Sequence, residues 1–550
     1  MNETRILGIE GTAWAASAAL FDTESDTLRI ESDAYEPDSG GIHPREAAEH
    51  MAEAIPQVIE TVLEHAIETA PEDGTADNRA AIDAVAFARG PGLGPCLRIV
   101  ATAARALAAT LEVPLVGVNH MVAHLEIGRH ESGFEDPICL NASGANAHLL
   151  AFRNGRYRVL GETMDTGVGN AIDKFTRHIG WSHPGGPKVE QAAKDGEYID
   201  LPYVVKGMDF SFSGIMSAAK DAVDDGHAVE DVCFALQETI FAMLTEVAER
   251  ALSLTDCDEL VLGGGVGRNA RLREMLETMC ADRGAEFYAP EPRLLGDNAG
   301  MIAVLGAKMY EVGDTLSVEN SRVDPNFRPD QVPVTWRSPP TLEEGQPAEI
   351  ARAADSSEYT TQGAEAHLTI DPAAGRVRKR RLEKAYRHPD LDARLRRDRT
   401  TLEARLTSLA RRHGVATPVV TDIDRKRATL EFEYVGDRDL RDALTPARVR
   451  SVGRSLATIH RAGFVHGDPT TRNVRVGDDR TYLIDFGLGY HTDHVEDYAM
   501  DLHIFDQSLV GTADDPEPLR DALRAGYDAA GEQRVLERLR EIETRGRYVE

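Results

Sequence analysis

Residues 258–280 read DELVLGGGVGRNARLREMLETMC. A short apolar run, a cluster of glycines and a stretch with apolar residues at helical spacing describe strand, glycine turn and helix in that order. The same order occurs earlier in AVAFARGPGLGPCLRIVATAARALA (84–108), where residues 90–95 form a Gly/Pro loop. A hairpin precedes each copy. RILGI (5–9) and WAASAALF (14–21) flank the turn Glu10-Gly11-Thr12, and the strand PICLNASG (137–144) leads into HLLAFRNGRYRVLGET (148–163), which turns at Asn154-Gly155. Between the first hairpin and the first strand–turn–helix, apolar spacing from Pro44 to Ala70 predicts an amphipathic helix.

Two successive α/β halves of this kind predict a duplicated, actin-like ATPase (ASKHA) fold with a cleft between the halves. The stretch DPNFRPDQVPVTWRSPPTLEEGQPA (324–348) is rich in Pro and polar residues and has no periodicity, which marks a linker. The expected domains are therefore 1–325 and 346–550, joined by a linker at 326–345. The second begins with the hairpins AHLTIDPAAGRVRKRR (366–381) and VVTDIDRKRATLEFEYV (419–435) and continues as mostly helical sequence, a small α+β domain.

Composition narrows the class. At 550 residues and 42% hydrophobic, the chain can fill two to four cores. No apolar run reaches the roughly 18 residues that span a bilayer, and the start lacks the basic-then-apolar order of a secretory signal. Five scattered cysteines with no C-x-x-C pair point to a reducing cytoplasm and away from a cysteine-built zinc site. The net charge of −31 is uneven: residues 1–344 hold 27 basic and 56 acidic residues, residues 345–550 hold 34 and 36. Only 9 of the 61 basic residues are Lys, and an acid-rich, Lys-poor surface suits life at high salt, where screening relieves self-repulsion. Within 376–427 stand 17 basic and 7 acidic residues, a stripe that suits tRNA phosphates and equally well a solvated basic helix.

FVHGDPTTRNVRVGDDRTYLIDFGLGY (464–490) carries phosphoryl-transfer chemistry. That chemistry needs a carboxylate near the attacking hydroxyl and two groups holding Mg²⁺ around the phosphates. The H-x-D-x-x-x-x-N spacing supplies Asp468 and Asn473, and Asp485 opens a D-F-G twelve residues later. Lys379 stands where a phosphate-binding Lys is expected, and Glu403 lies in the next helix as its ion-pair partner. In place of a G-x-G-x-x-G loop the chain has Gly363-Ala364-Glu365-Ala366, and no A-P-E segment follows D-F-G.

In TQGAEA (361–366), RLEKAYRHPDLDARLRRDRTTLEARL (381–406), HGDPTTRN and DFGLGY, residues 346–550 resemble the small RIO-like kinases of the KEOPS complex. That family usually has Leu after HGD and Ser before Asn, where this chain has Pro469 and Arg472. The resemblance implies a protein-kinase-like domain that binds ATP and Mg through Gly363, Ala364, Glu365, Ala366, Lys379, Glu403, Asn473 and Asp485. Asp468 is its implied proton acceptor, and ATP hydrolysis or Ser/Thr phosphorylation its implied activity.

VNHMVAHLE (118–126) places His120 and His124 four apart, on one helical face, as metal ligation requires. A core histidine beside a surface histidine would give the same spacing. A zinc protease would have Glu directly after the first His, and here Met121 stands there. LLGDNAGMIA (294–303) offers Asp297 at the start of an apolar helix, as a cap or as a third ligand. NASGANAH (141–148) is a strand followed by a small-residue turn, and GGGVGRNARL (263–272) opens a helix where N–H groups meet anions. ETMDTGVGNAIDKFTRHIGWSHPGGPKVE (162–190) adds Asp173, the turn Pro184-Gly185-Gly186-Pro187 and Glu190.

With GIEGTAWAAS, ARGPGLGPCLRI, NHMVAHLE, SGAN, DKFTRHIG, HPGGP, FSFSG, GGGVGRNARLR and GDNAGMIA in this order, residues 4–328 resemble the universal tRNA threonylcarbamoyl transferase family. The resemblance implies that His120, His124 and Asp297 ligate an Fe or Zn ion. Asn141 stands where archaeal and eukaryotic members usually have Tyr, which leaves the fourth position to this carboxamide, to water or to substrate. Asn141, Ala142, Ser143, Gly144, Ala145, Asp173, Gly186, Glu190 and Asn269 are the implied binders of threonylcarbamoyl-AMP. The implied reaction moves the threonylcarbamoyl group to N6 of the adenosine beside the anticodon of ANN-decoding tRNAs. Implied partners are tRNA and two small KEOPS subunits, one dimerising and one tRNA-binding, in the cytoplasm and without a membrane. The competing readings are a metallopeptidase with a regulatory kinase and a sugar-kinase-like or chaperone-like ATPase.

Overall fold

A computed structural model describes residues 4–35, 42–70, 81–153, 155–337, 358–478 and 480–545. They fall into two compact units. The first draws on residues 1–202, 212–240 and 257–340, the second on 203–211, 241–256 and 341–550.

In the first unit, β1 (Arg5–Glu10), β2 (Ala15–Asp22) and β3 (Thr27–Ala34) form an antiparallel meander. After α1 (Pro44–Glu68) come β4 (Ala84–Gly90), α2 (Gly94–Leu111), β5 (Leu115–Asn119) and α3 (His120–Ser132). The sheet order is β3-β2-β1-β4-β5, with β4 and β5 parallel to β1. A second meander follows in β6 (Ile138–Ala142), β7 (Ala147–Arg153) and β8 (Arg156–Glu162). Next are α4 (Val168–His178), α5 (Gly186–Ala192) and α6 (Ser213–Asp224); the two-residue strands β9 (Val205–Lys206) and β10 (Asp209–Phe210) belong to the second unit, and α7 (Val229–Thr255) contributes residues to both. Then come β11 (Glu259–Gly263), α8 (Ala270–Arg283), β12 (Glu286–Tyr288), α9 (Pro292–Leu295) and α10 (Ala299–Glu311).

The second sheet runs β12-β11-β6-β7-β8, with β11 parallel to β6 and β12 parallel to β11. Each sheet therefore has a central first strand, an antiparallel meander on one side and two parallel strands on the other. The central strands β1 and β6 are fully buried runs, as strands covered on both faces must be. Helix α10 lies so close to β1 that a Cβ on Gly8 would sit 2.5 Å from the Ala299 carbonyl oxygen.

Residues 326–337, expected as part of the linker, pack onto the first unit instead. Val332 is buried, and Trp336 stacks on Tyr157 with ring centroids 6.3 Å apart. Arg337 reaches Glu126 at 3.1 Å. Apolar and charged side chains spaced along an irregular segment bury it without any periodicity to announce them. Residues 338–345 of the expected linker, and Asn154 of the expected hairpin turn, lie outside the described residues.

The second unit contains a five-stranded antiparallel sheet made of β13 (Tyr359–Gln362), β14 (Ala366–Asp371), β15 (Arg376–Arg381), β16 (Val420–Asp424) and β17 (Thr429–Glu433), with α11 (Pro389–Arg412) between β15 and β16. Beyond it are β18 (Arg438–Asp439), α12 (Pro446–Arg461), β19 (Phe464–Val465), β20 (Val474–Val476), β21 (Thr481–Leu483) and β22 (Tyr490–His491). The helices α13 (Val495–Thr512), α14 (Glu517–Asp528) and α15 (Gln533–Arg545) complete it. Leu456, Phe464, Phe486, Phe505 and Leu523 are among the buried residues of its helical core. Among the described residues of the whole chain, no helix is long and apolar enough to cross a membrane. The chain is a mixed α/β protein.

Candidate functional site

His120 is the first residue of α3 because Asn119, at the end of β5, caps the helix by accepting the N–H groups of Met121 and Val122. His124 follows one turn later, and the two rings meet edge to face at 4.9 Å. Asp297 arrives from the far end of the unit. Its neighbour Asn298 caps α10 by accepting the Met301 N–H, so Asp297 is not consumed as the cap. Asp297 Oδ1 lies 3.4 Å from His120 Nε2 and 3.3 Å from His124 Nε2. The ligand atoms of all three lie within 4.8 Å of one another.

Glu10, at the end of β1, completes the arrangement. It is fully buried; Oε2 pairs with His120 Nδ1 at 3.1 Å and Oε1 accepts the Thr12 N–H at 2.8 Å. A carboxylate on the outer nitrogen fixes the ring so that Nε2 faces the cluster, the usual support of a metal-bound histidine. Burial would lower the His120 pKa, but Glu10 and Asp297 outweigh it and raise it to about 10. Burial would raise Asp297, but His120 and His124 hold its carboxyl well below the usual range. Burial keeps His124 neutral by lowering its pKa. A metal ion at Nε2 would displace the His120 proton, and the buried carboxylates of Glu10 and Asp297 would then stand against its charge.

The donors therefore fit a cation. Two imidazoles and one carboxylate suit Zn or Fe. Asn141 points the same way: it is buried, and among the described residues its Oδ1 has no hydrogen-bond partner. A Cβ on Gly263 would touch both Asn141 Oδ1 and His124 Cβ at 3.6 Å, which puts the carboxamide beside the ligand helix.

The residues expected to bind nucleotide form a connected series in the same unit. Ser143 to Ala145 follow β6 in a tight turn closed by Ser143 N–H to the Asn146 carbonyl at 2.8 Å, and Asn170 N–H bonds the Gly144 carbonyl at 2.9 Å. Asp173, on α4, accepts the Gly185 N–H at 2.8 Å and so holds the turn that begins α5 at Gly186. Glu190, on α5, accepts the Ala270 N–H at 2.9 Å, and Asn269 caps α8 while its amide reaches Gln237 at 3.0 Å. The structure brings Asp173, Gly186, Glu190 and Asn269 together through these bonds. Ala142 ends β6 next to Asn141.

In the second unit Lys379, on β15, bonds Glu403 of α11 at 2.9 Å and Asp485 at 2.6 Å. Asn473 donates to the Asp468 carbonyl at 2.8 Å and to its Oδ2 at 3.1 Å. Asp485 holds φ at 64°, a left-handed conformation uncommon for residues other than glycine. Burial raises the Asp468 pKa to about 7 against the lowering pull of Arg250, with Asp485 and Glu365 adding to the rise. The Glu365 carboxylate pairs with Arg381 at 2.7 Å and Arg399 at 3.1 Å. Gly363 and Ala366 close the loop, with Gly363 N–H bonded to the Ala366 carbonyl at 2.9 Å, and Ala364 lies within it.

Residues 27–304 match the family described as TsaD, tRNA N6-adenosine threonylcarbamoyltransferase. A protein of Halobacterium salinarum described as a probable bifunctional tRNA threonylcarbamoyladenosine biosynthesis protein is 69% identical over 547 residues, covering 99% of this chain and 98% of that one. The chain belongs to the tRNA N6-adenosine threonylcarbamoyltransferase family. A Methanospirillum hungatei relative of the same description is 50% identical over 549 residues, 99% of each chain. A crystal structure of full-length HypF in a phosphate- and nucleotide-bound form aligns with a TM-score of 0.40 at 13% identity over 57% of each chain, too slight a likeness to argue from.

Sequence reasoning missed two carboxylates that organise this family member's sites. Glu10 read as a turn residue, although a carboxylate directly after a buried strand was its signal. Asp501, on α13, is buried and accepts the N–H groups of His466 at 2.7 Å and Gly467 at 2.8 Å, and pairs with His460 at 3.0 Å. It holds the H-G-D loop from a distance in sequence that no local pattern reveals. The basic stripe at 376–427 is also smaller than its composition: Lys379, Arg381, Arg396 and Arg399 are occupied by carboxylates.

Proposed function

We propose that the chain transfers the threonylcarbamoyl group of threonylcarbamoyl-AMP to N6 of the adenosine beside the anticodon of ANN-decoding tRNAs. The observation that carries this reading is the meeting of His120, His124 and Asp297 within 4.8 Å in a chain of this family. On this reading residues 1–325 form a duplicated actin-like fold, supported by the matching strand order of its two sheets. His120, His124 and Asp297 would hold an Fe or Zn ion, with Asn141 at the edge of the site. When bound, the ion supplies a Lewis acid that polarises a carbonyl oxygen. The chain's own residues do the rest. Glu10 orients the His120 ring; Asn141 to Ala145, Asp173, Gly186, Glu190 and Asn269 bind and align the adenylate so that the weakly nucleophilic amine meets the carbamoyl carbon. AMP leaves as that bond forms. Met121 beside His120 leaves a peptidase without its adjacent base, which disfavours peptide hydrolysis.

Residues 346–550 form a RIO-like kinase on this reading. Lys379, oriented by Glu403, would hold the phosphates of ATP, Asn473 and Asp485 would hold Mg, and Asp468 would take the proton of the attacking hydroxyl or water. Small KEOPS subunits, one dimerising and one tRNA-binding, would be separate chains, and the reading carries with it a cytoplasmic location.

Reconstitution with purified chain, threonylcarbamoyl-AMP made in situ, an ANN-decoding tRNA and the small subunits tests both halves. Nucleoside mass spectrometry should find N6-threonylcarbamoyladenosine with wild type and none with His120→Ala or Asp297→Ala. Asp468→Ala should lose ATP hydrolysis. Product from wild type that persists in both metal-site variants would refute the metal-dependent transferase.

A further inference from the structure

The transverse row Gly263, Asn141, His148, Glu162 crosses four strands of the second sheet as successive register partners. Direct partners in adjacent strands project to the same face, so His148 stands beside Asn141, and Asn141 stands beside His124. His148 is buried, 3% exposed, and among the described residues neither Nδ1 nor Nε2 has a hydrogen-bond partner. Asn141 Oδ1 and His124 Nδ1 share that condition. Buried polar atoms are rarely left unpaired, and several side by side mark a place built to receive a polar group. Glycine makes the row possible: a Cβ on Gly264 would lie 2.4 Å from Asn141 Oδ1 and 2.3 Å from the Ala142 carbonyl oxygen.

His148 lies outside the group whose ligand atoms are mutually within 4.8 Å, so it does not join the three direct ligands. Its burial favours the neutral ring. A neutral imidazole offers one donor and one acceptor. We propose that His148 is a positioning residue of the metal centre, which with Asn141 holds the water that completes the coordination of the ion. The proposal rests on the metal-centre reading above. Asn141 Oδ1 accepts one proton of that water, the acceptor nitrogen of His148 takes the other, and the water oxygen faces the ion. An uncharged pair does this without adding to the two carboxylates already buried at the centre.

The test titrates Co²⁺ alone into the full-length chain and follows its visible absorption. His148→Phe should weaken Co²⁺ binding by roughly 10–100-fold and shift the band, the usual cost of losing an outer-shell partner, while His148→Gln, which keeps a donor and an acceptor, should stay within about threefold of wild type. His120→Ala is the control for the reading beneath: if it binds Co²⁺ as wild type does, there is no metal centre here. If His120→Ala loses the ion while His148→Phe matches wild type in affinity and spectrum, the metal centre stands and the role of His148 is refuted. A measurement on wild type covers the case in which His148→Phe does not fold. Water-proton relaxation of the Mn²⁺-loaded chain should show an exchangeable water on the ion, and its absence overturns the proposal.

Discussion

At the scale of single residues, Asp468 carries the sharpest expectation. In the role of proton acceptor proposed for it, it must be a carboxylate to work, and burial raises it to about 7, against the pull of Arg250. Below that pH the carboxyl is protonated and inactive; above it the base is free. The kcat/KM of ATP hydrolysis should therefore climb about tenfold per pH unit up to about pH 7 and then level, an ascent that an unshifted aspartate would complete near pH 4. Asp468→Asn should remove the ascent and lower the rate by ~10²-fold or more. A pH profile of the full chain at saturating Mg checks both. Glu126 makes the complementary case for stability. It is fully enclosed, with Lys308 at 2.8 Å, Arg129 and Arg337 at 3.1 Å and the Tyr157 hydroxyl at 2.7 Å. Burial would raise its pKa, but Lys308, Arg129 and Arg337 bring it to about 2. Its stabilising contribution is thus present above the ordinary carboxylate range and is lost as pH falls toward 2. Glu126→Ala strands three cations and should cost about 3–5 kcal/mol in urea unfolding. Glu126 was in plain view in VNHMVAHLE, yet nothing in that string distinguishes an enclosed carboxylate from a solvated one, because Lys308, Arg337 and Tyr157 reach it from α10, from the segment after it and from β8.

At the scale of elements, periodicity and glycine placement decide how much is legible. The hairpins β1–β2 and β7–β8 and the units β4–α2 and β11–α8 stand where apolar runs and glycine turns predict them, since local sterics fix such turns. The third strand of the first meander escapes notice: Thr27–Ala34 alternates between exposed and half-buried residues and has charges along it, so its apolar pattern is weak. Residues 326–337 escape for another reason, since an irregular segment is held by particular contacts such as Trp336 on Tyr157, and composition sees only Pro and polar residues. The glycine turn after β11 is legible as a close approach, but what it approaches is not. Gly264, at φ 84°, faces the Asn141 side chain and the Ala142 carbonyl. Gly264→Ala combines a left-handed backbone with a collision and should cost about 1–3 kcal/mol. It should also displace Asn141, so Co²⁺ affinity should fall along with the unfolding midpoint. A variant that loses stability but binds Co²⁺ unchanged would show that the turn serves the fold alone.

At the scale of the whole molecule, charge is the dominant variable. A net charge of −31 on 550 residues repels itself in the folded state, and counter-ions relieve that repulsion as ionic strength rises. The acidic excess lies almost wholly in residues 1–344, where 56 acidic residues face 27 basic ones. Buried pairs such as Lys308 with Glu126 are little screened, so added salt should weaken the interior far less than it relieves the surface. The thermal midpoint of the first unit should therefore rise as KCl goes from tens of millimolar to molar, and rise more than that of the second, whose 345–550 stretch is nearly balanced at 34 basic and 36 acidic residues. Differential scanning calorimetry of the full chain across a KCl series resolves this. Midpoints that fall with salt, or that move equally in both transitions, would place the stability of the chain in its ion pairs and not in relief of surface repulsion.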